Sequence, residues 1–211
     1  MYDCLGAGQY VSQQIFKGQD WRNYPENASA MYQVFPIVEQ LFEIKAFLLE
    51  ALTYDLSSQL HQEITLQLNA LEETLERGAE EIGKIDLSFY RAPIGVLLAK
   101  VSEEIRYHLS NSFDIPLGRD KSRENLMGHR LAQKDLRTYD FRGAYLIGAN
   151  LQQSDLRGAN MLGADLRDAN IKGADLSSCL FLTQMQVNGA KGSSQTLLPT
   201  YIEMPFHWRG K

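Results

Sequence analysis

The residue types that most often carry chemistry are scattered along this chain. The four histidines, His61, His108, His129 and His207, stand at no recognisable metal-ligand spacing from a cysteine or a carboxylate. The stretch Gly6-Ala7-Gly8 lacks the third glycine of a dinucleotide-binding loop, and no serine lies in a nucleophile elbow. The sequence therefore predicts no catalytic residue, no metal site and no cofactor, and we expect a protein that is not an enzyme.

Carboxylate and amide side chains also recur in a row that resembles an array of metal ligands. Their recurrence at multiples of five residues, however, indicates an architectural role, in which each side chain points outward from a repeated unit. The row consists of Asp135, Asp140, Asn150, Asp155, Asn160, Asp165, Asn170 and Asp175.

Composition and charge exclude several classes of protein. The chain contains no run of about 18 apolar residues, which a membrane span would need, and its N-terminus lacks the layout of a secretory signal. We therefore expect a cytoplasmic protein without membrane contact. The net charge is −5, and residues 1–123 carry 11 Lys and Arg against 18 Asp and Glu, which gives −7. Residues 124–191 carry 8 against 7, which gives +1. Neither part is basic enough for direct binding of nucleic acid.

A five-residue repeat dominates the C-terminal half. From Ala144 the chain reads AYLIG, ANLQQ, SDLRG, ANMLG, ADLRD, ANIKG, ADLSS, CLFLT, and four looser units precede these eight. Each unit has a large apolar residue in its centre and, in the later units, a small residue two positions earlier. The twelve central residues, between Glu124 and Thr183, are Leu126, Leu131, Leu136, Phe141, Leu146, Leu151, Leu156, Met161, Leu166, Ile171, Leu176 and Phe181.

A period of five matches neither an α-helix nor a flat strand, so the chain must turn once in every unit. The pattern resembles the pentapeptide-repeat family, A(D/N)LXX. The resemblance implies a right-handed quadrilateral β-helix of about three coils, in which the central and the small residues point inward. Cys179 occupies a small-residue slot, where we interpret it as packing material, and with Cys4 alone it makes no disulfide framework.

Both ends of the repeat need a cover, because a terminal coil exposes unpaired backbone. The first small-residue slots hold bulky residues such as Glu124 and Lys134, so we expect the first coil to be distorted or covered. At the other end, Gln186 stands in the next central slot and Thr183 can cap a short helix. An apolar arm from Leu197 to Trp208 is predicted to fold back on the same domain.

The rest of the chain predicts helices. Leucines and isoleucines from Leu52 to Leu75 and from Ile94 to Leu109 recur at three and four residues, which is typical of packed amphipathic helices. We divide the chain into an irregular segment (1–33), an α-helical domain (34–120), the β-helix (124–183) and a cap helix with the apolar arm (184–211). The opening residues and FLTQMQVNGAKG resemble a bacterial subgroup that includes oxetanocin A resistance proteins. In that subgroup a cysteine-rich segment precedes this point, and the sequence alone leaves open whether this chain is a shortened form.

Three functions are compatible with these observations. The preferred hypothesis is a non-catalytic module that binds a protein partner, with a homodimer left open. The alternatives are a drug-resistance protein that protects a topoisomerase or another target by imitating DNA, and an enzyme with an interdomain pocket. Outward apolar residues on two adjacent sides of the β-helix predict the contact surface, covered by the chain itself or by a partner, and the candidates are Tyr145, Ile147, Leu162, Leu180 and Leu182.

Overall fold

A computed structural model describes residues 5–209 and divides the chain into two compact units. The first unit ends at Val101 and the second begins at Ser102, so the boundary falls inside a helix. The sequence groups the apolar residues from Ile94 to Leu109 with the helical domain. Those after Val101 belong to the second unit. Among the described residues, no helix is both long and apolar enough to cross a membrane.

The first unit is helical, as the apolar periodicity predicts. Its longer helices bury one face each, with Val38, Leu41 and Leu48 among the fully buried side chains. The elements are α1 (Ala7–Tyr10), a π-helical turn (Val11–Ile15), a 3-10 turn (Pro25–Asn27), α2 (Ala28–Ala51), α3 (Ser58–Leu75), α4 (Ala79–Ile82) and α5 (Ser88–Ser112), which continues into the second unit.

Two expectations for this unit are corrected. Within the segment 1–33 the described residues 5–33 are not irregular, because α1 and two short helical turns form there and α2 already begins at Ala28. The alanines at 28 and 30 favour a helix before the apolar stripe starts. The stripe from Leu52 is interrupted, since residues 52–57 separate α2 from α3. Cys4 lies outside the described residues.

The second unit contains a ladder of parallel β-bridges with a constant period. Asn125 pairs with Tyr145 and Tyr145 pairs with Asp165, and nine bridges between Asp120 and Leu180 share this spacing. Each coil thus spans four of the five-residue units, one for each side. Each rung is closed in the manner of a parallel sheet: Leu126 N donates to Tyr145 O at 2.9 Å, and Tyr145 N donates to Glu124 O at 3.0 Å. The region is therefore a four-sided β-helix.

The four sides are called walls 1 to 4 and are defined by their bridge residues. Wall 1 carries Asp120, Asp140, Asn160 and Leu180; wall 2 carries Asn125, Tyr145 and Asp165; wall 3 carries Arg130, Asn150, Asn170 and Lys191; wall 4 carries Asp135, Asp155, Asp175 and Leu197. The ladder thus begins one unit before Glu124, and two rungs, at Lys191 and Leu197, lie beyond the predicted end at Thr183.

The corners explain why glycine so often ends a unit. The second residue after each central residue occupies the left-handed region in most units, as in Gly148, with a φ of 62°, and Gly163, with a φ of 64°. A β-turn of type II requires this conformation at its third residue, where glycine avoids the strain of a side chain. Non-glycine residues such as Gln153, with a φ of 55°, adopt it as well.

The interior contains the predicted central residues. Eleven of the twelve are buried, and Leu131, in the first coil, is half-buried. The small residues between them, among them Ala144, Ala159 and Ala174, are also buried, so each wall contributes one large and one small side chain. Cys179 is buried in such a slot, where its Sγ lies 3.1 Å from Leu156 O.

The C-terminal end of the β-helix is closed by α6 (Gln184–Gly189) and the arm that follows. Thr183 caps α6, as predicted, and forms a capping box with Gln186. Nε2 of Gln186 also donates to Met161 O and Ala164 O, both at 2.8 Å, and so satisfies two carbonyl groups of the last coil. Trp208 packs into the core cluster and donates to Ala190 O at 3.2 Å. The arm therefore folds back on its own unit, as predicted.

Candidate interaction surfaces of the β-helix

Wall 1 is covered by the last three turns of α5, which belong to the same unit. Asn160 Nδ2 donates to Ser102 Oγ at 2.8 Å and to Asp140 Oδ1 at 3.0 Å. Arg106 Nη1 lies 3.1 Å from Asp140 Oδ2, and Arg106 Nε donates to Thr138 O at 2.8 Å. All of these side chains are buried. A buried charge pair is tolerated only when its remaining donors and acceptors are satisfied. Here the amide of Asn160 donates to Asp140, and the carbonyl of Thr138 accepts from Arg106.

Two predicted contact residues of wall 1 are also buried, and one of them, Leu182, lies in the core cluster with Val187 and Trp208. Leu180 and Leu182, which the sequence predicts to point outward on wall 1, are 0% and 2% exposed. Leu162, which follows Asn160 on the preceding rung of wall 1, is half-buried. Helix α5 lies close to the β-helix, because a Cβ added to Gly158 would lie 2.9 Å from Cδ1 of Leu109. Leu180 and Leu182 are therefore packing residues of this chain and are not available to a partner.

Wall 2 is open. Tyr145 is 51% exposed and Met127, on the preceding rung, is 53% exposed, while Ile147 is half-buried. The chain by itself does not cover Tyr145, so the predicted burial of this residue requires a partner. Below these residues on the same wall, Arg167 forms an ion pair with Asp165 at 2.6 Å. Wall 2 thus combines an exposed apolar patch, formed by Met127, Tyr145 and Ile147, with a charged margin.

Wall 4 carries a ladder of ion pairs. Arg137 pairs with Asp135 at 2.7 Å and Arg157 pairs with Asp155 at 2.6 Å, each within one rung. The ring of Phe113, just beyond α5, lies 5.4 Å from the Arg137 guanidinium and 5.5 Å from that of Arg157, which favours cation–π attraction. The hydrogen bond from Arg137 lowers the pKa of the Asp135 carboxyl, and the one from Arg167 does the same for Asp165.

These pairings decide what the row of carboxylates can do. Its members have arginine partners on walls 1, 2 and 4, and on wall 3 the row consists of the amides Asn150 and Asn170. In residues 5–209 no three His, Cys, Asp or Glu side chains cluster in a way that could hold a metal ion. The row is architectural, and the lowered carboxyl pKa values have arginine partners as their cause.

The N-terminal edge of the β-helix differs from the rest of the ladder. On walls 2, 3 and 4 the first rung is formed by Asn125, Arg130 and Asp135, all of which are exposed. Within the coils, the N–H and C=O of such a residue bond to the preceding coil, as in Asn150 N to His129 O at 2.9 Å. For these three residues no backbone partner exists in the part of the chain that the structure describes.

Sequence reasoning missed two of these features. The network of Arg106, Asp140 and Asn160 connects residues that are far apart in the chain, and a helix that seals a wall leaves no local signal. The stripe Ile105 and Leu109 marks an apolar face but does not say what the face covers. A usable signal exists in wall 1 itself, where Asp140 is followed by Asn160 and Leu180, while the five-residue units of wall 4 all carry aspartate at this position.

Comparison with known proteins agrees with this architecture. The family described as pentapeptide repeats matches residues 131–181, with eight copies of the unit. An uncharacterized protein of Bacillus subtilis (strain 168), YybG, is 41% identical over 209 residues, which cover 99% of this chain and 74% of that protein. The likeness therefore includes the helical unit as well as the repeats.

Solved structures of pentapeptide repeat proteins are similar to part of the chain. Rfr23 from the cyanobacterium Cyanothece 51142 is 34% identical with a TM-score of 0.34, over 37% of this chain and 53% of that one. A protein from Nostoc is 25% identical with a TM-score of 0.34, over 46% and 84%. The chain spans about half the length of the Cyanothece protein. This chain contains the repeat units and the four-sided ladder, and it has a relative that matches 99% of its length. It therefore belongs to the pentapeptide-repeat family of right-handed quadrilateral β-helices.

Proposed function

We propose that this chain is a non-catalytic protein-interaction module and that its partner binds wall 2. The observation that carries the proposal is the exposed apolar patch of Met127, Tyr145 and Ile147 on a wall whose backbone is held rigidly by the ladder. Wall 1 also carries apolar residues, but Leu180 and Leu182 are buried within this chain. Family membership supports the same proposal, since pentapeptide-repeat proteins are generally non-enzymatic repeat proteins.

The chemistry of the patch suits a protein partner. Tyrosine and methionine are enriched at protein interfaces, because they bury a large area and tyrosine keeps a polar group for hydrogen bonding. Neighbouring rungs lie about 4.8 Å apart, so side chains on successive rungs present one continuous surface. Asp165 and Arg167, next to the patch, supply a polar margin. We keep a cytoplasmic location as part of the proposal, with no membrane and no direct nucleic acid among the partners.

Imitation of DNA is less well supported. A DNA mimic needs an unbroken row of negative charge, but on walls 1, 2 and 4 the carboxylates lie next to arginines. Between residues 117 and 197 the chain has 11 Lys and Arg against 8 Asp and Glu, a net charge of +3. We therefore do not propose protection of a topoisomerase by charge mimicry, and no described site favours the enzyme alternative.

A photo-crosslinking experiment tests the proposal. Benzoylphenylalanine is placed at Tyr145 in one variant and at Lys172, an exposed residue of wall 3, in a matched control, and each is irradiated in a lysate of the source cells. We expect a discrete crosslinked product from position 145 and none from position 172. A product of twice 23.9 kDa would identify a homodimer, and any other mass a different partner. Equal products at both positions, or none, would overturn the proposal.

A further inference from the structure

The N-terminal edge of the β-helix combines open backbone groups with unpaired positive charge. Arg123, Arg130 and Lys134 are exposed, and none of them has a carboxylate within ion-pair distance in residues 5–209. Of the carboxylates near them in sequence, Glu124 pairs with Lys121 at 2.8 Å and Asp135 with Arg137 at 2.7 Å, while Asp120 accepts a hydrogen bond from Ser122 N at 2.8 Å. At the opposite end, by contrast, Lys191 pairs with Asp168 at 2.8 Å. Three unpaired cations therefore lie at the open end.

The backbone of this edge is ready to accept another strand. Asn125, Arg130 and Asp135 each present one N–H and one C=O on consecutive walls, in the orientation that pairs the later coils. An edge of this kind binds an extended chain by β-augmentation, with the added strand about 4.8 Å away. Leu131, the one central residue that is only half-buried, lies beneath the same edge. An added strand would cover it.

We infer that the N-terminal edge binds an extended acidic segment of a partner protein, which continues the coil over walls 2 to 4. This inference deepens the proposed interaction function and rests on it. On walls 2 to 4 the open rungs run from Asn125 to Asp135, so a segment of about that length, with small residues at the corners, matches these three. Its carboxylates would lie across from Arg130 and beside Arg123 and Lys134, where opposite charges on neighbouring strands attract.

Two other occupants fit the edge less well. A second copy of this chain would place Arg123, Arg130 and Lys134 against the same three cations, and like charges across a strand pair are destabilising. A nucleic acid would neutralise the cations, but its phosphate oxygens would face the C=O groups of Asn125 and Arg130, which need donors. Only a peptide supplies negative side chains together with alternating N–H and C=O groups.

A binding experiment with a defined probe tests the inference. The probe is a fluorescein-labelled peptide with three copies of Ala-Glu-Leu-Glu-Gly, titrated with the full chain by fluorescence anisotropy. The matched peptide has N-methyl groups at alternate residues. They leave the charge of the peptide unchanged and remove the backbone N–H donors of the methylated residues. We expect the first peptide to bind and the methylated one to bind at least tenfold more weakly. Equal binding of the two would overturn the inference, as would tighter binding of a single-stranded oligonucleotide of equal charge.

Variants of the chain locate the site. The double change Arg130→Glu and Lys134→Glu is expected to weaken binding of the probe at least tenfold, while Lys172→Glu, on an exposed cation of wall 3, changes it less than twofold. Amide hydrogen exchange should show added protection at Asn125 and Arg130 when the probe is bound. A loss of equal size from Lys172→Glu would overturn the inference. Absence of peptide binding with the Tyr145 crosslink intact would sink this inference alone, and the reverse result would sink only the function proposed for wall 2.

Discussion

The two ends of the β-helix solve the problem of a terminal coil in opposite ways. At the C-terminal end, α6, Gln186 and Trp208 satisfy carbonyl groups and cover the interior. At the N-terminal end, the first rungs of walls 2 to 4 keep backbone groups without a partner among the described residues, and Leu131 stays half-buried. The lysines and arginines of that edge repel a second edge of the same kind. One end is thus closed by packing and the other is protected by charge, so only the second is free to select a partner.

The largest expected effect concerns the closed end. Trp208 is 4% exposed, and Trp208→Ala should destabilise the chain by about 3 to 5 kcal/mol, because the indole fills the cover over the last coil. Gly192 lies against the ring, since a Cβ there would approach Trp208 Cε3 to 2.5 Å. The matched control is Phe206→Ala, at a side chain that is 85% exposed. Thermal or urea unfolding measures both, and similar losses for the two variants would show that the arm does not close this end.

A pair of leucines compares the middle of the solenoid with its open end. Leu156 is fully buried, and Leu156→Ala should cost about 2 to 5 kcal/mol from lost burial and the cavity left behind. Leu131→Ala should cost only about 1 kcal/mol, because Leu131 is half-buried and the open coil can relax around it. Urea unfolding measures the difference, with Lys172→Ala as the surface control. Equal costs for the two leucines would mean that the first coil is sealed in solution.

The smallest effect concerns charge at the closed end. The hydrogen bond from Lys191 lowers the pKa of the Asp168 carboxyl, so Lys191→Met should raise it towards its ordinary value. The pair stabilises the fold above the unfolded pKa of about 3.9 and loses this contribution as the pH falls through the folded pKa. Both side chains are largely exposed, so the loss of stability is small. Carboxyl-carbon NMR titration measures the shift, and Asp165, whose partner Arg167 is unchanged, should keep its lowered pKa.

Most of the repeat unit could be predicted from the sequence, because its period is local. A large residue such as Leu156 and a small one such as Ala159 recur at fixed spacing, and the shape of the coil follows from these two slots. The capping box at Thr183 is equally local. The last two rungs could not be predicted, since Lys191 and Leu197 stand slightly beyond the positions that the constant period assigns to their walls.

The candidate surface was predictable only in part. Outward apolar residues mark two adjacent walls, but the sequence does not distinguish a wall that this chain covers from one that it leaves open. Whether wall 1 is covered depends on Ser102 and Arg106. Their hydrogen-bond partners lie 58 and 32 positions further along the chain, respectively. Contacts of that range leave no periodic signal. The edge of unpaired rungs was expected to be distorted or covered, and the structure leaves Asn125 and Arg130 exposed instead.

The quarter turn of each unit limits how the length of this protein can change in evolution. Deleting one unit between Asn160 and Leu180 would rotate every later residue by one side, so that Leu180 and Leu182 would leave the wall on which they are buried. Gln186 would likewise meet carbonyl groups of a different wall. Only the insertion or deletion of a whole coil preserves the angular position of each side chain, because the bridges join residues four units apart. Long and short descendants of this chain should therefore differ by whole coils within the β-helix.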